Sequence, residues 1–180
     1  MIYCFLANGF EEMEAICPID IIRRAGKQVE IVGIGDVILG SHQIAVYSDM
    51  DISEITLDDT LEMIILPGGM PGTLNLEQDQ YVQDAIDYCM ENNILIGAIC
   101  AAPSVLGHKG LLEGREATCF PGFEQELHGA KLSESYVVRD GNIITARGAG
   151  VAMQFGLKLV EALCGKSKAE ALEKSLQCNF

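Results

Sequence analysis

The chain has 180 residues, 49% of them hydrophobic, enough to bury a sizeable core in a single domain over residues 1–180. Its 12 basic and 26 acidic side chains leave a net charge of −14, which repels phosphate and sets aside nucleic acid and anionic membrane as partners. No apolar run approaches the roughly 20 residues of a membrane span.

In chain order, residues 1–7 read as a first strand and not as a signal peptide, because no basic start precedes them and Glu11-Glu12 follow at once. The spacing of Met13, Ile16, Cys17, Ile19 and Ile21 predicts a helix over 11–25, closed by Ala25-Gly26. Val29–Ile34 is the next strand, and Ile44–Tyr47 is a short one. Glu62–Leu66 reads as a buried strand stopped by Pro67-Gly68-Gly69. A helix is expected over 78–92, with Val82, Ala85, Ile86 and Cys89 on one face, and then a strand over 94–99. Ser135–Arg139 and Asn142–Thr145 flank Asp140-Gly141, a pair suited to a tight primed turn, which predicts a hairpin. Helices over 150–164 and 166–177 end the chain. Strands alternating with helices predict an α/β fold, a mainly parallel sheet with helices on both faces. Ligands in such folds sit at the carboxyl ends of strands, where Asn8-Gly9-Phe10-Glu11, Pro67-Gly68-Gly69 and Ile99-Cys100-Ala101 fall.

The seven cysteines (Cys4, Cys17, Cys89, Cys100, Cys119, Cys164 and Cys178) are odd in number and scattered, and none forms a Cys-x-x-Cys pair. This argues against a disulfide framework or a zinc site and for a cytoplasmic location. Cys100 stands apart. An apolar strand ends on it, the small residues Ala98, Ala101 and Ala102 surround it, and a helix start at Pro103 follows. That is the layout of a nucleophile elbow, a strand-to-helix turn that lifts a side chain above the sheet beside free backbone N–H groups. A helix N-terminus is expected to lower the thiol's pKa. The glycines after Pro67 let backbone N–H groups approach a ligand, and with the N–H of Ala101 they form an oxyanion pocket. Glu14, one turn beyond Glu11, is expected to point back into the cleft and exchange protons there. Of the three histidines, His42 is the best candidate for the cleft, while His108 and His128 are expected at the surface. Arg23, Arg24 and Arg147 are the cations of interest.

These residues resemble the DJ-one family of the ThiJ/PfpI superfamily, which has a class I glutamine amidotransferase-like fold. The resemblance runs through Gly9-Phe10-Glu11-Glu12-Met13-Glu14-Ala15, Pro18-Ile19-Asp20, Arg23-Arg24-Ala25-Gly26, Leu66-Pro67-Gly68-Gly69, Ala98-Ile99-Cys100-Ala101-Ala102-Pro103 and Thr145-Ala146-Arg147-Gly148. It implies a flavodoxin-like three-layer sandwich, a homodimer, and neither a cofactor nor a metal. It maps the family's reactive thiol onto Cys100, its buried acid onto Glu14, and its oxyanion-side backbone onto Gly69 and Ala101. The implied activities are a cofactor-independent glyoxalase or deglycase acting on small aldehydes, or alternatively an oxidation sensor or chaperone-like stress protein. Two departures bear on activity. Thr118-Cys119-Phe120-Pro121 stands where glyoxalase members can carry Thr-His-Pro, so Phe120 replaces a helper histidine. Ala101 stands where protease-like members carry histidine, which argues against a peptidase. A basic residue lining the family's cleft aligns with His42, and Arg24, Phe120 and Cys119 are further pocket candidates.

Overall fold

In the computed structural model, which describes residues 1–180, Ile2–Leu6 forms β1 and is buried along its whole length. Successive side chains enter opposite cores: Tyr3 and Phe5 join one, Ile2, Cys4 and Leu6 the other. Burial on both faces is why such strands read as continuous apolar runs. The chain continues through α1 (Glu12–Arg24), β2 (Val29–Gly33), β3 (Val37–Leu39), β4 (Ala45–Tyr47), β5 (Met50–Asp51) and β6 (Met63–Leu66). Then come α2 (Gly72–Gln78), α3 (Gln80–Glu91), β7 (Leu95–Ile99), α4 (Pro103–His108), β8 (Glu116–Ala117) and β9 (Lys131–Leu132). The last elements are β10 (Val137–Asp140), β11 (Ile143–Ala146), α5 (Ala152–Cys164) and α6 (Lys166–Ser175).

The main sheet has seven strands in the order β10-β11-β7-β6-β1-β2-β5. Every neighbouring pair is parallel except β10 with β11. One face carries residues of α2, α3 and α4, including Leu76, Val82, Ile86 and Leu106; the other carries residues of α1 and α5, including Ile22, Phe155 and Leu159. The central order β2-β1-β6-β7-β11 is that of flavodoxin-like sheets, whose ligand crevice lies where the order reverses, here between β1 and β6. Packing of α1 on α5 is close: a Cβ on Gly156 would lie 2.7 Å from Ile21 Cδ1. No helix is long and apolar enough to cross a membrane.

Several elements differ from the sequence expectation. The helix expected over 78–92 starts at Gln80, because the carboxylate of Asp79 caps it, accepting from the N–H of Tyr81 at 2.9 Å. The hairpin turn sits one residue later than expected: Asp140 pairs with Ile143, leaving Gly141-Asn142 as the loop. Asn142 is fixed there because its amide donates to the carbonyl of Ile94 at 2.8 Å. The expected strand at 44–47 exists as β4, but it pairs with β3 in a separate two-stranded ribbon. The sequence reading did not include α2, β3, β5, β8 or β9.

Candidate active site

β7 ends at Ile99, and Cys100 takes φ +66°, a left-handed conformation that costs a non-glycine residue about 1–2 kcal/mol. Two backbone bonds hold it there. The N–H of Cys100 donates to the carbonyl of Ala146 at 2.9 Å, and its own carbonyl accepts from the N–H of Phe120 at 2.8 Å. Ala101 and Ala102 then turn the chain, both buried, with the N–H of Ala102 donating to Ile99 at 3.0 Å. The outcome is a half-buried thiol above the carboxyl edge of the sheet, with the backbone N–H groups of Ala101 and Gly69 near enough to favour its thiolate.

The residues opposite leave no spare room. A Cβ on Gly68 would lie 2.5 Å from Cys100 Cβ and 2.5 Å from Glu14 Oε2. Gly69 has φ +92°, and a Cβ there would lie 2.4 Å from the backbone nitrogen of Glu11. The start of α1 closes the site. Glu11 donates its N–H to the carbonyl of Gly68 at 2.9 Å, and its carboxylate caps the helix by accepting from the N–H of Glu14 at 2.9 Å. Glu14 itself is 1% exposed. Its Oε2 accepts from the N–H of Gly68 at 2.9 Å, and the Cys100 thiol and the N–H of Ala149 lie beside its carboxyl.

Burial pushes the Glu14 carboxyl up to about 7; the negative charge of Glu11 adds to this, while the bonds from Cys100, Gly68 and Ala149 oppose it. Burial likewise pushes the Cys100 thiol up to about 12, reinforced by the charge and hydrogen bond of Glu14 and opposed by the Ala101 and Gly69 N–H groups. The expectation of a thiol lowered by a helix N-terminus is therefore corrected. α4 is six residues long and starts only at Pro103, so little helix dipole reaches the sulfur. Desolvation beside a carboxylate outweighs two amide donors. The thiol thus stands beside a carboxyl whose pKa burial raises toward neutrality, a nucleophile next to a base.

A profile of the DJ-1/PfpI family matches residues 1–162. The chain belongs to the DJ-1/PfpI family. It is 35% identical over 175 residues to protein dj-1beta of Drosophila melanogaster, covering 95% of this chain and 93% of that protein. It is 32% identical over 183 residues to the glutathione-independent glyoxalase DJ-1 of Schizosaccharomyces pombe, covering 96% of this chain and 95% of that one. The structure of oxidized Toxoplasma gondii DJ-1 matches with a TM-score of 0.94 at 31% identity, over 99% of this chain and 98% of that one.

The remaining candidates of this DJ-1/PfpI chain fall in different places. His42, in the β3–β4 loop, has its Nδ1 3.1 Å from Glu12 Oε2 and 3.9 Å from Glu11 Oε1. It borders the site through these carboxylates and is not bonded to the thiol. Glu12 is taken up in holding the loop, accepting from the N–H of His42 at 2.7 Å and from Ser41 Oγ at 3.3 Å. Arg24 does not belong to the pocket. It lies ten residues beyond Glu14 on α1, about 15 Å along the axis at 1.5 Å per residue, and pairs with Asp20 at 2.7 Å. Arg23 pairs with Asp49 at 2.8 Å. Cys119 is buried in the core on the α2–α3 face, whereas Cys100 packs against the other core, and all seven cysteines are free. Phe120 is 47% exposed, and its ring and Glu14 Oε1 both flank Gly148. A cleft of about 300 Å³ opens there, lined by Phe120, Pro121, Tyr136, Arg147, Gly148 and Ala149 among others. The Arg147 guanidinium lies 5.5 Å from the Tyr136 ring centroid. The sequence reading missed the Ala149 N–H, which carries no local signal. It placed the N–H groups of both glycines after Pro67 on the oxyanion side, whereas that of Gly68 is spent on Glu14 Oε2.

Proposed function

We propose that this chain converts small 2-oxoaldehydes to 2-hydroxy acids at Cys100. The observation that carries this reading is that Cys100, held at a strained left-handed elbow, and the buried Glu14 carboxyl face each other across Gly68, where a Cβ would lie 2.5 Å from both Cys100 Cβ and Glu14 Oε2. As the sulfur attacks the aldehyde carbon of methylglyoxal, Glu14 takes the thiol proton, and the new oxyanion is held by the N–H groups of Gly69 and Ala101 before it is protonated. The product is a hemithioacetal. Glu14 then removes the proton from the former aldehyde carbon and returns it to the adjacent carbon through an enediol, leaving a thioester. Water hydrolyses the thioester to lactate and the free thiol. Each proton taken is given back, so no oxidant or reductant is consumed. The likeness to a protein named glutathione-independent glyoxalase supports this reading. With Phe120 in place of a helper histidine, turnover is slow. The test is D-lactate formation from methylglyoxal without glutathione: the folded protein forms it, and Cys100→Ala and Glu14→Gln do not. A folded, unmodified protein that forms none overturns the proposal.

The same donors favour a second reading. Two successive peroxide molecules oxidise the thiolate to a sulfinate with release of two waters, and the oxygens take the positions facing Gly69, Ala101 and a protonated Glu14. Intact-mass analysis after mild peroxide then shows two added oxygens on Cys100 alone; equal oxidation of all seven cysteines refutes it. Seven free thiols fit a reducing cytoplasm. Exposed Met13 and Ile16, on the helix that carries Glu14, offer an apolar face for a second copy of the chain.

A further inference from the structure

We propose a second site, a surface centre for a divalent transition metal of the zinc class, built by His108, Glu126 and His128 and supported by Glu77. None of these residues takes part in the chemistry proposed for Cys100, so the two readings stand or fall separately. His108 is the last residue of α4, Glu126 ends a single helical turn over Glu124–Glu126, and His128 follows two positions later. One ligand atom from each lies within 4.8 Å of the others. Donors about 2.0–2.2 Å from a shared zinc ion sit somewhat closer than that, so rotation of exposed side chains closes the set.

Two observations distinguish this cluster from an ordinary surface ion pair. The first is the support of His108. Its Nδ1 is hydrogen-bonded by the carboxylate of Glu77 from α2, while its Nε2 faces Glu126 Oε2 at 2.9 Å. A carboxylate on the far nitrogen fixes which nitrogen keeps its proton and turns the other toward a metal, the arrangement found behind metal-ligating imidazoles. The second is His128, whose ring lies 5.3 Å from that of His108, tilted by 45°. It makes no hydrogen bond or ion pair within the chain. Two imidazoles held side by side repel when both are protonated, and a cation between them with two carboxylates removes that repulsion and balances charge. On binding, His108 Nε2 donates its lone pair to the metal and any proton it shared with Glu126 passes to solvent. Glu11, Glu12 and His42 form another cluster of similar composition. There Glu12 already accepts from backbone N–H groups of the loop, which an ion would have to displace.

The ligands come from α4 and the 124–128 turn, so the metal staples these two, and Glu77 ties α2 to them through His108. The test uses the metal-free full chain titrated with cobalt(II) chloride, followed by visible absorption, and with zinc chloride, followed by thermal unfolding. One equivalent of cobalt is expected to bind without a near-ultraviolet thiolate-to-cobalt band, and zinc is expected to raise Tm. His108→Gln and His128→Gln weaken binding at least tenfold and abolish the Tm shift, and Glu77→Gln weakens it by about 10–100-fold. His128 is exposed and unbonded, so its variant folds and reads binding alone. A thiolate band, undiminished binding in His128→Gln, or no saturable binding overturns the proposal.

Discussion

Replacing Glu14 with glutamine is the most direct probe of the buried carboxyl. The fold raises this group from its ordinary 4.5 to about 7, so the folded state favours the neutral acid. Its contribution to stability is complete below pH 4.5, declines as pH rises through about 7, and is absent above that. At about 1.4 kcal/mol per pH unit, the wild type loses about 3 kcal/mol of unfolding free energy from this group between those limits. At 1% exposure, solvent screening does not reduce the figure. The Cys100 thiol, pushed up to about 12, does not titrate in this window. Glutamine keeps the shape, its oxygen still accepts from the Gly68 N–H, and it cannot ionise. Urea unfolding of both proteins from pH 4.5 to 8.5 therefore shows the variant gaining about 3 kcal/mol on the wild type as pH rises. With a slope of about 2–3 kcal/mol/M, that is roughly 1 M in midpoint. A difference that stays flat, or a wild type that gains on the variant with pH, would mean the fold favours the carboxylate, and the acid–base role built on a raised carboxyl would fall with it.

Other substitutions test the geometry around the thiol. Gly68→Ala drives a methyl to 2.5 Å from both Cys100 Cβ and Glu14 Oε2, so it is expected to lose D-lactate formation and about 1–3 kcal/mol in chemical unfolding. Cys100→Gly is expected to be more stable than Cys100→Ala by about 1 kcal/mol, because relief of the left-handed strain exceeds glycine's added entropy of folding; the opposite order in urea melts would show that the elbow is unstrained. Phe120→His places an imidazole beside Gly148 and Glu14 at a half-exposed position, and is expected to raise kcat for methylglyoxal at least tenfold with Tm unchanged. Wild-type kcat/KM is expected to rise with pH and level off above about 7, as the Glu14 base ionises; a rise confined to the range of free thiols would assign the titration to Cys100 alone.

What was legible in the sequence had a local cause. β1, β6 and β7 are buried on both faces, so each reads as an apolar run, and Gly9, Pro67 and Cys100 mark where each stops. The elbow was legible because a tight turn at Cys100 needs small neighbours. What was illegible depends on distant partners. β5, β8 and β9 are two residues each and exist only through pairing with remote strands, so no periodicity announces them. The hairpin turn moved one residue because Asn142 is anchored to Ile94. Arg24 failed as a pocket residue because it was taken from a motif, although ten residues on one helix already put it about 15 Å from Glu14. The direction of the thiol's pKa was misread because the helix start is local, whereas burial and the Glu14 charge are products of the fold.

Several perturbed groups converge where the strand order reverses. Cys100 is held in a left-handed conformation, Glu14 is a carboxyl buried against backbone, and Gly68 and Gly69 occupy spaces that admit no Cβ. Each arrangement is unfavourable alone and persists because backbone bonds from Ala146, Phe120 and Glu11 over-determine it. The nearby ionic groups are instead spent on structure, with His42 lying against Glu12. The strain therefore falls on one thiol and one carboxyl, and in the mechanism proposed above Glu14 is the group that moves each proton. In that proposed mechanism a single base moves one proton at a time, so thiol addition precedes the carbon-to-carbon transfer, and an imidazole at position 120 is expected to matter more than any further cation.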